Sequence, residues 1–172
     1  ELIINNVKDE DTLKWALNYI QKQQTRILWD AEFIHSIGPF DDVLNVGALP
    51  LFTEYLLREK MPQATLTSID LDPSRMQSVI EMLNITVLEI DIENDQIDKK
   101  LETKFDLIIL NEVFEHLRIN PITTILKLKM MLKKDGILML TTPNGLSARR
   151  LLFRILLNRR TGPRLYREYS RI

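Results

Sequence analysis

The chain has 172 residues, 45% of them apolar and 27% charged, a balance that suits one soluble globular domain large enough to hold a core of its own. A formal net charge of −1 gives no overall pull toward nucleic acid or a membrane surface, and the absence of cysteine excludes disulfides and thiolate metal sites. That absence is compatible with a reducing cytosol, so a cytoplasmic location is expected. The opening stretch ELIINNVKDEDTLK is acidic and lacks the basic and apolar regions of a secretory leader. The most apolar late stretch, LLFRILL, is broken by Arg154 and is too short to span a bilayer, so no transmembrane segment is expected.

From Glu10 to Lys22 the chain places Leu13, Leu17 and Ile20 near one helical face behind an acidic start, which predicts an amphipathic helix. A second short helix is expected over Ile27 to Ser36, so residues 1–37 read as a helical segment that packs on the core. Gly38 and Pro39 then punctuate the chain, and residues 38–145 alternate between strands and helices. Strands are expected at Val43–Val46, Thr65–Ile69, Val87–Ile90, Phe105–Leu110 and Ile137–Thr141. Helices are expected at Phe52–Lys60, after Asp72 and Pro73 as cap and first helical residue, and at Pro121–Leu132 behind the cap Asn120. Such alternation predicts an α/β fold, a parallel sheet with helices on both faces, whose ligands sit beyond the carboxyl ends of the strands.

The residues at those ends are the candidates for function. Asp70 directly follows the second strand, where a carboxylate can accept from both vicinal hydroxyls of a ribose and so suits an adenosine-containing cofactor; the bland alternative is a turn residue. The turn Asn45-Val46-Gly47-Ala48-Leu49-Pro50-Leu51 offers one glycine, enough for a tight strand-to-helix turn. Glu112, Glu115 and His116 fall at spacings of three and four, and would point the same way on a helical turn.

Two segments carry a family resemblance. FDLIILNEVFEHL, from Phe105 to Leu117, and LKKDGILMLTTPN, from Leu132 to Asn144, strongly resemble the fourth and fifth strands of the class I methyltransferases, which use S-adenosylmethionine. The resemblance covers roughly Val43 to Tyr169 and implies a Rossmann-like sheet of strand order 3-2-1-4-5. The family's final antiparallel strand pair is missing, because the chain stops at Ile172. The turn at Asn45 resembles the family's cofactor loop, usually acidic-x-Gly-x-Gly-x-Gly. Only Gly47 remains of it: Asn45 replaces the acidic residue, and Leu49 and Leu51 stand at the later glycine positions, where a β-carbon narrows the loop and restricts positive φ.

Carried over position by position, the resemblance implies S-adenosylmethionine as cofactor, with Asn45, Gly47 and Ala48 at its amino-acid end. It implies Asp70 on the ribose, Leu71 against the adenine, Asp91 on the exocyclic amine with Ile92 giving its N–H to the ring, and Asn111 and Glu112 beside the sulfonium. Asp91 also lies in an acidic run with Glu89, Glu93 and Asp95 that reads equally as a solvated loop. His116 has three readings. It could act as a general base for an acceptor hydroxyl, since an imidazole titrates near neutral pH; it is the catalytic candidate on that ground. It could join Glu112 and Glu115 on a divalent metal, as in some relatives; a second histidine after strand five, which the RNA-methylating relatives add, is absent here, so no metal site is assigned. Or it could be an interior residue bonded to backbone that fixes the loop.

The segment 146–172 reads as a basic amphipathic helix and tail, with Arg149, Arg150, Arg154, Arg159, Arg160, Arg164, Arg167 and Arg171 against the lone carboxylate of Glu168. Such a segment suits an anionic acceptor, a nucleic-acid backbone or a membrane surface, or simply covers the body. Its TPN-x-x-S-x-R-R and R-E-Y pieces resemble methyltransferases linked to glycan pathways, which implies a small hydroxylated acceptor and disfavours nucleic acid. The expected function is therefore S-adenosylmethionine-dependent methyl transfer to a small molecule. The alternatives are a noncatalytic methyltransferase-like binding or assembly module with a degenerate loop, and a nicotinamide-dependent dehydrogenase, which the lack of G-x-G-x-x-G opposes. The edge of strand five is expected to need a cover, from a second copy or a partner chain.

Overall fold

The computed structural model describes residues 2–95, 97–101 and 104–143. Their elements run α1 (Leu2–Asn5), α2 (Glu10–Ile37), β1 (Asp42–Val46), α3 (Phe52–Lys60), β2 (Thr65–Asp70), α4 (Gln77–Leu83), β3 (Thr86–Glu89), α5 (Ile97–Lys100), β4 (Phe105–Asn111), α6 (Pro121–Met130) and β5 (Leu132–Thr141). The basic segment 146–172 lies outside the described residues, as does Asn144.

The strands alternate with helices, and they form one five-stranded sheet in the expected order β3-β2-β1-β4-β5. Each neighbouring pair is parallel. Alternation along the strands sends side chains to two cores. Leu44, Val46, Ile108 and Leu110 pack toward Leu128 and Met131, whereas Val43, Leu66, Leu107 and Ile109 pack toward Ile34 of α2 and Leu57 of α3. A third cluster seats Leu51 among Met76, Val79 and Ile80. The register sets Val46 beside both Ile69 and Leu110, so Gly47, Asp70 and Asn111 emerge at one end of the sheet.

Three boundaries differ from the expectation. The two helices before β1 are one helix of 28 residues, Glu10–Ile37. Its polar middle, QKQQTR, contains neither glycine nor proline and is rich in residues of high helix propensity, so nothing interrupts the backbone ladder. Asp9 caps this helix, its carboxylate accepting from the Thr12 N–H at 2.7 Å. Asp72 does not cap the next expected helix. It accepts from the Ser74 hydroxyl at 2.5 Å, Pro73 opens a 3-10 turn over Pro73–Met76, and α4 starts only at Gln77.

The last helix ends at Met130, and β5 begins at Leu132 with an irregularity between the Phe105 and Leu107 pairings. Asp135 takes φ 65 there, and a Cβ on Gly136 would lie 2.9 Å from the Phe105 carbonyl oxygen. The turn-like KKDG is thus absorbed into the strand as a bulge. Among the described residues, no helix is long and apolar enough to cross a membrane.

Candidate functional site

The ends of β1, β2 and β4 converge with one face of α2. The β1 turn is held from beneath: the Gly47 and Ala48 N–H groups donate to the Ile69 carbonyl at 2.9 and 3.3 Å, and the Leu49 N–H donates to Asp70 Oδ2 at 3.0 Å. Gly47 has φ 69, and a Cβ there would sit 2.4 Å from Val113 Cγ2 on the β4 loop. The positive φ and the close approach of the Val113 side chain together favour glycine at this position.

Leu51 overturns the expectation that a side chain would exclude positive φ. It adopts φ 69, and its side chain is fully buried in the third core cluster, directed away from the cleft. The loop thus keeps a left-handed turn without the third glycine.

Asp70 accepts twice, from Leu49 N–H and, through Oδ1, from Leu71 N–H at 2.8 Å. The capping role assigned to Asp72 is unfilled, so capping does not separate the two aspartates. Leu71 is 66% exposed, an apolar side chain laid open beside Asp70. The acidic run after β3 is an ordered turn. Asp91 Oδ1 accepts from the Glu93 N–H at 3.0 Å, Asp91 Oδ2 accepts from Asn94 Nδ2 at 2.8 Å, and Asp95 pairs with Lys100 at 3.0 Å. The Asn94 amide and these backbone donors hold the Asp91 carboxyl below the usual range against the opposing effect of burial. Glu93 reaches across to accept from the N–H groups of Arg118, Ile119 and Asn120, tying this turn to the start of α6. Ile92 is buried in the core.

Glu112, Glu115 and His116 do not share a helical face. Glu112 has φ 58 and precedes a 3-10 turn that covers only Phe114–His116. Among the described residues, no group of three His, Cys, Asp or Glu could hold a metal. His116 is exposed, so the interior reading of it is wrong; its N–H closes the turn on the Val113 carbonyl at 2.9 Å.

Two polar groups central to this end of the sheet are absent from the expected list. Along α2, Arg26 donates to Asp30 Oδ2 at 2.8 Å and to Tyr19 Oη at 3.1 Å. Asn111 Nδ2 also donates to Asp30 Oδ2, at 3.0 Å, and Thr141 Oγ1 donates to Asn111 Oδ1 at 3.1 Å. This chain of bonds joins α2 to the ends of β4 and β5. Burial raises the Asp30 pKa, and Arg26 opposes that rise.

On α3, Glu54 is 1% exposed, and its Oε1 accepts from Asn45 Nδ2 at 2.6 Å and from Ser68 Oγ at 2.8 Å. Burial pushes its pKa up to about 7, with the Asn45 and Ser68 bonds opposing and the charge of Asp70 adding to the rise. Asp30 Oδ1 and Glu54 Oε2 are buried without a partner among the described residues. A sequence signal existed for both. Asp30 lies four residues from Ile34 and Arg26, and Glu54 three residues before Leu57, so each carboxylate sits on its helix's buried face.

Tyr19, Arg26, Asn45, Gly47, Leu49, Thr53 and Asn111 are among the residues lining a small cleft between α2 and the β1 turn. It has a guanidinium on one wall and carboxamides on the others, and it opens beside the glycine turn, which lets backbone approach a ligand.

A family model described as a methyltransferase domain matches residues 41–170. A malonyl-[acyl-carrier protein] O-methyltransferase of Acetivibrio thermocellus is 30% identical over 141 residues, which is 80% of this chain and 46% of that protein. The enzyme of the same name from Halalkalibacterium halodurans is 31% identical over 107 residues, 58% of this chain and 38% of that one. The chain thus spans less than half the length of these curated relatives. Among solved structures, the plantazolicin methyltransferase BpumL, in complex with SAH and a triazolic substrate analogue, superposes with TM-score 0.66 at 20% identity, covering 94% of this chain and 62% of that one. The N-methyltransferase NodS of Bradyrhizobium japonicum, in complex with SAH, gives 0.59 at 21% identity, covering 81% and 70%. At such identities these structures establish the shared fold.

Proposed function

Because the chain belongs to the methyltransferase-domain family through residues 41–170, we propose that it binds S-adenosylmethionine across the carboxyl ends of β1 to β4 and transfers the methyl group to a small hydroxylated acceptor. The observation that carries this reading is the cleft beside Gly47. Its Arg26 guanidinium suits a carboxylate and its amide groups suit an ammonium, so it fits the zwitterionic amino-acid end of such a cofactor. Asn45, Gly47 and Ala48 bound that end. Asp70 takes the ribose hydroxyls through its remaining lone pairs, and the open side chain of Leu71 supports the adenine between Asp91 and Ile92. Asn111, fixed by Asp30 and Thr141, and Glu112 bound the sulfonium region.

When bound, the cofactor supplies a methyl group already activated for transfer, so the protein's task is chiefly alignment. His116, exposed on the turn after β4, accepts the proton of the acceptor hydroxyl. The relatives' printed name supports oxygen as the atom methylated, whereas the N-methyltransferase NodS shows that the fold alone does not choose the atom. The noncatalytic alternative rested on Leu49, Leu51 and the missing sheet edge, and the buried Leu51 side chain weakens one of those grounds. Cysteine-free composition supports a cytoplasmic setting. The half-open Ile137 and Leu140 of β5 support a second copy or another chain as cover for that edge.

Isothermal titration with S-adenosylhomocysteine, with NAD as control, tests the cofactor without the acceptor. Micromolar binding of the first alone, on the order of −8 kcal/mol, is expected. Asp70→Ala is expected to weaken it by about 1–3 kcal/mol through loss of charge-assisted bonds. Binding of NAD alone, or of neither, would overturn the reading, and unchanged affinity in Asp70→Ala would remove that residue from the ribose.

A further inference from the structure

Asn45, a residue only 6% exposed, is among those lining the cleft, yet it spends its amide N–H on a residue that does not line the cleft. That residue is Glu54, which collects both the Asn45 and the Ser68 donors on a single oxygen. Glu54 Oε1 accepts from both donors whether the carboxyl is ionised or carries its proton on Oε2, so this bond sets the amide with its nitrogen toward α3 and its oxygen on the opposite side. Among the described residues, no hydrogen bond to the Asn45 Oδ1 stands beside the one that its Nδ2 donates. Across the same cleft stands the Arg26 guanidinium. One wall carries the guanidinium of the Arg26–Asp30 ion pair and the other an acceptor backed by a buried carboxyl, polar groups that suit an α-amino acid group.

Resting on the cofactor reading above, we propose that Glu54 is the positioning residue of an ammonium subsite: by accepting from Asn45 Nδ2 it turns Asn45 Oδ1 toward the cleft, where that oxygen accepts from the α-ammonium of the cofactor's amino-acid end. Asn45 makes the contact and Glu54 acts through it. Glu54 does not act on the adenosine half, whose proposed contacts lie on β2 and β3. Affinity for a ligand that lacks the amino-acid end is therefore indifferent to Glu54.

The test compares S-adenosylhomocysteine with 5′-methylthioadenosine, which keeps the adenosine and the thioether and lacks the amino acid, by titration into the wild type, Glu54→Leu and Glu54→Gln. The expected result is at least a tenfold loss of S-adenosylhomocysteine affinity in Glu54→Leu, with 5′-methylthioadenosine held within twofold. Glu54→Gln, whose Oε1 still accepts from Asn45, is expected to restore most of that loss. Equal weakening of both ligands in Glu54→Leu would mean a structural role and overturn the proposal, as would unchanged affinity for both. Should Glu54→Leu fail to fold, Asn45→Ala carries the same comparison, and loss of both ligands or of neither there overturns the subsite. Failure of the wild type to bind either ligand would instead overturn the cofactor reading itself.

Discussion

Leu51 holds a backbone conformation that an L-residue normally avoids, with φ 69, at a cost of about 1–2 kcal/mol. Its side chain is fully buried against Met76, Val79 and Ile80, and burial of a leucine stabilises by about 1.5–3 kcal/mol. The packing therefore offsets the strain. Leu51→Gly relieves the backbone but leaves a cavity, for which truncations of buried leucine cost about 2.7–5 kcal/mol. The variant is expected to be less stable by about 1–4 kcal/mol in urea denaturation, the difference of those two effects. Its affinity for S-adenosylhomocysteine should remain within twofold, because Leu51 does not line the cleft. Tighter binding in the glycine variant would show that the leucine does obstruct the loop. The identity of residue 51 was legible in the sequence; the direction of its side chain was not, since that depends on a core cluster assembled from α4.

At the scale of elements, α3 presents a carboxylate to the interior rather than to solvent. Glu54 has a pKa near 7 in the folded chain against an ordinary 4.5, so the folded state binds its proton more tightly than the unfolded chain does. The stability this group contributes is complete below pH 4.5 and is lost as pH rises to about 7. A shift of that size corresponds to a loss of about 3 kcal/mol across the window. Glu54→Gln cannot ionise and should escape the loss. The difference in unfolding free energy between variant and wild type is expected to grow with pH between pH 5 and 7, by about 3 kcal/mol in all, and then level off. A pH-independent difference would show that Glu54 is charged throughout the range.

The same kind of burial explains what pattern reading missed on α2. The helix was recognised from its apolar spacing, and its continuity through QKQQTR is a matter of local propensity, but the bond that Asp30 accepts from Asn111 depends on residues distant in sequence. Asp30 and Asn111 are 81 residues apart. Apolar periodicity shows which helix face is covered, and it carries no information about which strand end supplies the polar partners.

At the scale of the whole molecule, the parallel direction of the sheet was legible because strands alternate with helices and connections of that kind have few alternatives, whereas the strand order followed from the family resemblance. The site lies at the carboxyl ends, and the opposite end is fastened by charge. Lys133 of β5 reaches Asp42 of β1 at 2.7 Å and Asp106 of β4 at 3.0 Å. Asp106 also accepts from the N–H groups of Asp41 and Asp42, at 3.1 and 2.9 Å. One lysine thus ties an edge strand to two others at the end remote from the cleft.

The carboxylates of Asp42 and Asp106 raise the pKa of Lys133. At Asp106 burial acts upward, but the Asp42 N–H and Lys133 outweigh it, and the net shift is downward. The signs define a window. A raised lysine pKa contributes stability that is lost only as strongly alkaline pH passes the folded value, and a lowered aspartate pKa contributes stability that is lost as pH falls through the folded value. Lys133→Met leaves two carboxylates facing each other across the gap, so its urea midpoint should fall below that of the wild type at pH 7. The gap should narrow as pH is lowered into the range where Asp106 protonates, because the lost attraction and the new repulsion both vanish there. Added salt should also narrow it, since the lysine is more than one-third exposed. Affinity for S-adenosylhomocysteine should be unaltered, because the latch and the cleft lie at opposite ends of the strands. A loss of affinity in Lys133→Met that tracks the loss of stability would mean instead that strand register at one end of the sheet sets the geometry of the other.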